Sequence, residues 1–260
     1  MRVIVVIALA LSAACAAPRA PLVTPSRPIV LALISWNMHA GRGDLPRLVG
    51  DIQSGAITGT PPPAFVLMLQ EAVEGGPHDV TSFAAARGLS AFFVPVREDG
   101  GRIAGNALLS TLPLVNTRAI ALPRERQPRA AAVAEIEVGG QRMFVASTHL
   151  ENRVSWLRGG LLSDTARGRQ AEALLRALPA ADAGILGGDM NTWLGEREPA
   201  WRAFLERFDD TPRARAAQTF RDRLVLDHVF LDLPQGWRAA TRVLRDTYGS
   251  DHHPVLAVVF

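Results

Sequence analysis

The sequence contains no lysine. All 28 of its basic residues are arginine, set against 25 acidic ones, for a formal net charge of +3. Guanidinium groups keep their charge at every biological pH, yet the excess is too small to demand an anionic partner such as nucleic acid or a membrane surface. A single cysteine, Cys15, excludes an intramolecular disulfide and a cysteine-based metal cluster. Aromatic residues are scarce at 6%, and the five tryptophans (Trp36, Trp156, Trp193, Trp201, Trp237) are scattered rather than gathered into a membrane-inserting hairpin. No G-x-S-x-G string marks the nucleophile turn of a serine hydrolase. What remains is 260 residues with 48% hydrophobic and 20% charged side chains, which excludes disorder and fits one domain. The 22 glycines and 18 prolines follow no period and read as turn punctuation.

The N-terminus reads as an export signal. Arg2 is followed by an apolar run from Val3 to Leu11, too short to span a bilayer, and then by the small residues Ser12 to Ala17. Ala14-Cys15-Ala16 forms an A-x-A cleavage site. Leu11-Ser12-Ala13-Ala14-Cys15 resembles a bacterial lipoprotein box whose leucine lies one place too far from the cysteine. Residues 1–16 are therefore expected to be a signal peptide, ending before Cys15 if that residue is lipidated. Residues 17–28 form a proline-rich tether and 29–260 the mature domain. The expected location is exported: periplasmic, secreted or lipid-anchored to the cell envelope.

From Ile29 onward short apolar runs alternate with helical patterns. Strands are expected at Ile29–Trp36, Ala64–Leu69, Ala91–Val96, Ala107–Ser110, Ala130–Val138, Met143–Thr148, Gly184–Gly187, Leu224–Leu231 and Val255–Phe260. Helices are expected at Leu45–Gln53, Val80–Arg87, Thr165–Leu178 and Pro199–Phe208. Gly139-Gly140 joins two of the strands as a hairpin. Hairpins together with helical crossovers predict mixed sheets with helices packed outside.

Polar residues stand at the ends of these apolar strands, where a rigid scaffold carries its functional loops. They are Asn37, Gln70-Glu71, His149-Leu150-Glu151, Asp189-Met190-Asn191, Asp227-His228 and Ser250-Asp251-His252-His253. Singly each has an ordinary explanation: Asn37 a turn, Glu71 a solvated strand end, His149 a half-buried imidazole, the glycines before Asp189 a tight turn. Together they supply what phosphoester hydrolysis needs, namely hard oxygen ligands for Mg²⁺ or Mn²⁺, a carboxylate to activate water, and donors for charge developing on phosphate oxygens. Asp189 and Asn191, two apart, point to one side of an extended segment. The arginines Arg124, Arg126, Arg129, Arg167 and Arg169 read by default as a solvated face. Arg129 is the expected exception because an apolar stretch follows it, and Asn106, after Gly105, is a similar candidate for touching substrate.

In this order, Ser35-Trp36-Asn37, Leu69-Gln70-Glu71, Gly105-Asn106-Ala107-Leu108-Leu109-Ser110, Ser147-Thr148-His149-Leu150, Gly188-Asp189-Met190-Asn191 and Ser250-Asp251-His252-His253-Pro254-Val255 closely resemble the endonuclease/exonuclease/phosphatase superfamily, the deoxyribonuclease-I-like fold. The resemblance spans about Ile29 to Phe260. It implies a four-layer α/β sandwich, two mixed β-sheets face to face with helices on the outside, and a Mg²⁺-dependent phosphoesterase cleft at one edge. It implies Glu71 as principal metal ligand with Asn37 beside it and Asp251 near the metal. Asp189 takes the place of the base, Asn191 that of the residue holding water or phosphate, and His149 that of a phosphate contact. His252 takes the place of the histidine that stabilises the transition state, with Asp227 as its partner. His253 falls at a variable position, and Met190 and His228 replace an aromatic residue and a tyrosine as packing variations. The Ser147–Leu150 string points away from apurinic-site repair members toward lipid, inositol-phosphate, general nuclease and bacterial secreted or lipoprotein branches. The expected substrates are nucleic acid, a phospholipid head group or an inositol phosphate, cleaved by a monomer of the phosphodiesterase or nuclease type. A phosphatase or a sphingomyelinase-like phospholipase is the next reading, and a non-catalytic envelope binding protein on the same fold is the alternative from another class.

Overall fold

The structure is a computed structural model that describes residues 27–152, 161–181, 183–212 and 217–260. The expected signal peptide, Cys15 with it, the tether as far as residue 26, and Trp156 lie outside the described residues. The chain runs β1 (Leu31–Asn37), α1 (Leu45–Gln53), β2 (Phe65–Glu74), α2 (Val80–Ala85), β3 (Ser90–Asp99), β4 (Arg102–Ser110), β5 (Val115–Ala121), β6 (Ala130–Val138), β7 (Gln141–His149), α3 (Leu161–Ala177), β8 (Gly184–Asp189), a 3₁₀ turn (Gly195–Arg197), α4 (Pro199–Arg207), β9 (Asp227–Asp232), β10 (Ala239–Val243) and β11 (Val255–Val259). Six strands form one sheet in the order β10-β11-β1-β2-β4-β3, and five form the other in the order β5-β6-β7-β8-β9. Two strands, β5 and β10, lie outside the sequence expectation. The Ala107–Ser110 run belongs to a longer strand hairpinned to β3, and the strand expected from Leu224 begins at Asp227, because Leu224 instead pairs with Phe220.

The central strands are buried on both faces, and their side chains alternate with period two between two cores, which builds the layers. In β1, Leu31 and Leu33 join the core between the sheets with Met68 of β2, Val145 of β7 and Ile185 of β8. Ala32, Ile34 and Trp36 point the other way, against Leu48 and Ile52 of α1 and Val80 and Ala84 of α2. On the far face of the second sheet, Phe144, Leu186 and Phe230 meet Leu174 of α3 and Phe204 of α4. The result is the four-layer sandwich: two mixed sheets face to face with helices outside.

Each sheet contains one parallel pair, β1–β2 in the first and β7–β8 in the second, and every other pairing is antiparallel. Parallel neighbours end at the same edge, so Asn37 pairs with Gln70 and His149 with Asp189 at the strand ends. The antiparallel neighbours begin there, which sets Asp227 opposite Asp189 and brings the segment before β11 to the end of β1. Polar bonds stitch the sheets together at this edge. Ser147 Oγ donates to Leu69 O at 2.9 Å, Gln70 Nε2 donates to Ser147 Oγ at 3.0 Å, and Asn106 Nδ2 donates to Ala130 O at 2.7 Å.

The strand expected at Gly184–Gly187 extends through Gly188 to Asp189, so the ordinary reading of these glycines as a tight turn does not hold. Gly187 and Gly188 are β-strand residues of β8, and they are small because neighbours press on them. A Cβ at Gly188 would lie 2.3 Å from the carbonyl oxygen of Thr148, which belongs to the paired backbone and cannot swing aside. Gly188→Ala is therefore expected to lower stability by about 2 kcal/mol, in the range for overpacked cores, measured as a fall in the urea midpoint at unchanged slope.

Candidate active site

The convergent strand ends form an open cleft lined by Asn37, His39, Glu71, His149, Asp189 and His252, with Asn191, Asp251, Trp193 and Phe220 on its walls. Four of the eight non-glycine residues with positive φ among the described residues line it: His39, Glu71, Asn191 and Arg221. Such backbone is held in place by its surroundings and gathers at functional sites. Glu71 has φ +50° at a register shift between Leu69 and Ala72 of β2, so the irregular strand turns its side chain out of the alternation.

Asp189 is the centre. It is buried, and its Oδ2 accepts from Asn37 Nδ2 at 3.0 Å while lying 3.4 Å from His149 Nε2 and 3.8 Å from His252 Nε2. Its Oδ1 accepts the Asn191 backbone N–H at 3.0 Å. Burial raises its pKa to about 7 and the Asp227 charge adds to this, against the pull of His252, Asn37 and the Asn191 N–H. His252 is held on its other side by Asp227, Nδ1 to Oδ2 at 2.8 Å. Burial works to lower the His252 pKa, but Asp227, Asp189 and Asp251 overcome it and raise the value to about 9, so this imidazole is cationic at neutral pH. His149 goes the other way. Burial, with Arg129, His252 and Arg97 nearby, takes it well below 6.5 and keeps it neutral.

Backbone contacts fix the His252 loop. The Trp36 indole donates to His252 O at 3.2 Å, Ser250 Oγ donates to Asn37 O at 2.7 Å, and the His252 N–H donates to Ser250 Oγ at 3.0 Å. His253, read from sequence as a bystander, turns away to Leu244 O and Asp222. Met190 and His228 pack as expected. Met190 is buried in the outer core, and His228 lies against the Trp201 ring with its Nε2 3.2 Å from Thr192 Oγ1.

The residues assigned to the metal fit a hard cation. Glu71 Oε2 accepts the Ala40 N–H at 2.9 Å, while Oε1 faces His149 Nδ1 at 4.0 Å, beyond hydrogen-bond length, and is open to the cleft. Asn37 Oδ1 accepts the His39 N–H at 3.0 Å and retains a second lone pair. An oxygen-only donor pair of this kind suits Mg²⁺ or Mn²⁺. Asp251 stands on the opposite wall, with Oδ1 3.3 Å from His39 Nδ1 and Oδ2 bonded to Arg221. The tight group Asp189, Asp227 and His252 also has metal-like spacing. Since a proton already sits between His252 and Asp227, it reads as a hydrogen-bonded chain rather than a ligand cage.

Arg167 contradicts the solvated-face reading of the arginines, and Glu151 has a role the sequence did not show. Arg167 is 1% exposed. Its guanidinium forms a two-pronged pair with Glu198, Nε to Oε2 at 2.6 Å and Nη2 to Oε1 at 2.9 Å, and also donates to Asn152 O at 2.9 Å. Glu198 Oε1 in turn accepts the Leu194 N–H. Arg167 thus ties the loop after His149 to the loop after Asp189, and sequence spacing carries no sign of a partner 31 residues away. Glu151, to which no role was assigned, is fully buried. It accepts the backbone N–H groups of Arg126, Gln127 and Asn152 and lies 4.0 Å from Arg129. Arg129 is buried as expected, Arg124 and Arg126 are exposed, and Arg169 pairs at the surface with Glu125. Asn106 is also buried beside Arg129, with its amide nitrogen bonded to Ala130 O.

The charge state of His252 is open to direct measurement. With Asp227→Asn the largest raising carboxylate and its hydrogen bond are gone, leaving only Asp189 and Asp251 against burial, so the His252 titration is expected to fall below about 9. Imidazole NMR across pH 5 to about 10 reads it; an unchanged titration would show that Asp227 does not hold the proton in place.

Comparison with known proteins agrees with this edge-on cleft. The Endonuclease/Exonuclease/phosphatase family model matches residues 34–252. Among solved structures, the chain is similar to an endonuclease/exonuclease/phosphatase from Beutenbergia cavernae (TM-score 0.62, 22% identity, covering 88% of this chain and 71% of that one). It is similar to the catalytic domain of human Nocturnin with bound sulfate (TM-score 0.66, 17% identity, covering 89% and 93%). It is similar also to sphingomyelinase C from Streptomyces griseocarneus (TM-score 0.59, 20% identity, covering 89% and 99%). No curated protein matches. With the family model covering most of the chain from the end of β1 to the His252 loop, the protein belongs to the endonuclease/exonuclease/phosphatase family.

Proposed function

We propose that the chain is an exported, metal-dependent hydrolase of phosphoester bonds, most of all a phosphodiesterase or nuclease, in which water attacks phosphorus in line with no covalent enzyme intermediate. The observation that carries this is the Asp189 carboxylate held between Asn37, His149 and the Asp227-backed His252, beside the cleft-facing oxygen of Glu71. Glu71 and Asn37 would hold a divalent cation, which when bound would supply Lewis-acid neutralisation of the phosphoryl oxygens. Asp189, with a pKa near neutrality, takes the proton from water, and the Asn191 N–H fixes its orientation. Cationic His252 donates Nε2–H to a phosphate oxygen as charge builds on it, and neutral His149 adds a second donor.

Trp193, Phe220 and Arg126 line the same cleft, giving aromatic side chains and positive charge of the kind that binds a polynucleotide strand. That favours a nuclease or nucleotide phosphodiesterase. Among the described residues the exposed large apolar ones, Ile103, Val115 and Leu194, lie on separate elements, so no lipid-inserting patch among them supports the phospholipase reading.

The test is hydrolysis of a panel containing plasmid DNA, RNA, sphingomyelin and inositol phosphates with saturating Mg²⁺ or Mn²⁺. Activity is expected on nucleic acid, lost with EDTA, and reduced at least about 100-fold in kcat by Asp189→Asn or His252→Ala. Because the base must be ionised and His252 protonated, kcat/KM is expected to rise as pH approaches about 7 and fall as it passes about 9. No turnover of any panel member would refute the enzyme reading.

Export rests on the Arg2 to Ala17 pattern, and anchoring on Cys15 as a lipidated first residue of a secreted or lipoprotein branch. Wild-type protein is expected in the membrane fraction and Cys15→Ser in the soluble envelope fraction; equal partitioning of the two would rule out the lipid anchor.

A further inference from the structure

Beside the cleft lies a second, narrower pocket that shares only Glu71 and His149 with it. Its other polar walls are Arg97 of β3, Asn106 of β4, and Gln127 and Arg129 of the loop that leads into β6. Asp189 and His252, which must flank the scissile phosphorus, line the cleft and not this pocket. The pocket therefore lies across Glu71 and His149 from the place where the bond breaks.

Arg129 is an anomaly there. It is nine-tenths buried, and buried guanidinium groups are ordinarily paired in full. Yet its Nε has no hydrogen-bond partner, and Nη2 is 4.0 Å from Glu151 Oε1, too far for a hydrogen bond. Glu151 is held at that distance, since its Oε1 accepts the Asn152 N–H and its Oε2 those of Arg126 and Gln127. Glu151, Asp189 and Glu71 lie within electrostatic reach of Arg129 but none bonds its Nε, and Arg97 adds a second guanidinium to the same small space, where like charges repel. Two cations converge on a pocket in which one of them is buried with unmet donors. The group that completes it is an anion with several acceptor oxygens.

We infer that this pocket seats a second phosphate of the substrate, so that the preferred substrates are phosphoesters carrying a further phosphate next to the scissile one. This rests on the phosphoesterase reading of the cleft, but it assigns Arg129 to a different phosphate from the one that Asp189 and His252 serve. Arg129 is then a specificity determinant. A substrate lacking the second phosphate leaves its donors unmatched, and discrimination follows from the cost of that unpaired charge.

Binding without turnover tests it. The metal-free full chain is titrated calorimetrically with adenosine 3′,5′-bisphosphate, adenosine 5′-phosphate and adenosine 3′-phosphate as probes. Wild-type protein is expected to bind the bisphosphate at least about tenfold more tightly than either monophosphate, the size of one charge-assisted hydrogen bond. Arg129→Gln is expected to remove that preference while leaving the monophosphate affinities unchanged. Arg97→Gln, at an exposed strand position where folding is not at stake, is expected to reduce it in the same direction, and Arg118→Gln on exposed β5 is expected to leave it intact. Absence of a preference in the wild type overturns the inference, as does a preference that survives both Arg129→Gln and Arg97→Gln. So does an equal loss for all three probes in Arg129→Gln, which would place Arg129 on the scissile phosphate. Hydrolysis does not enter the readout, so failure of every substrate to turn over would strike the phosphoesterase reading and leave the affinity ratio to be judged separately.

Discussion

The cleft depends on keeping one carboxylate, Asp189, out of water. A lone buried charge would protonate or unfold its surroundings, so the fold brings it partners from four directions: Asn37 from β1, His149 from β7, His252 from the loop before β11, and the Asn191 N–H from its own chain. These partners are far apart in sequence, and only the paired parallel strands, one pair in each sheet, end close enough to meet there. The requirement explains the small residues behind the site as well. Gly187 is pressed against Met68 and Ser35 of the other sheet, and Gly188 against Thr148 O, so the strand carrying Asp189 lies tight between its neighbours and water has no way in from behind.

The two histidines divide the labour because their surroundings differ in one respect. Both are buried, which alone would keep both neutral. His252 has a carboxylate on its Nδ1 side and a second at Nε2, so its cation is compensated. His149 also faces carboxylates, Asp189 at 3.4 Å and Glu71 at 4.0 Å, but it has Arg129 and Arg97 behind it and a proton there would be a third positive charge. One site thus holds a charged imidazole beside a neutral one, set by which second neighbours each ring has.

Much of this was legible in sequence, and what was not has definite causes. Asn37, Glu71, His149, Asp189, Asp227 and His252 stood out because polar residues at the ends of apolar strands break a pattern, and the structure brings all six to one edge. Strands β5 and β10 were invisible because they bury little, one position in β5 and none fully in β10. Neither alternates cleanly between buried and exposed positions, so they lack the apolar run that betrays a central strand. Arg167 and Glu151 were missed for another reason. Their types are solvated by default, and what buries each is a partner or a set of N–H groups on a different loop, a tertiary fact with no local signature.

The arginine excess with which the sequence opens takes on a definite shape once pairs are assigned. Arg47 is paired with Asp246, Arg167 with Glu198, Arg169 with Glu125, Arg207 with Asp232 and Arg221 with Asp251, so much of the positive charge is neutralised locally. A net +3 spread over such a surface would steer a polyanion weakly. Recognition of an anionic substrate must then come from few groups used at short range and low dielectric, where a single guanidinium counts for more than several at the surface. Arg129 meets that condition. It is buried, it is incompletely paired, and it is carried by a loop whose backbone Glu151 pins in two places, so little conformational freedom is lost when an anion completes it.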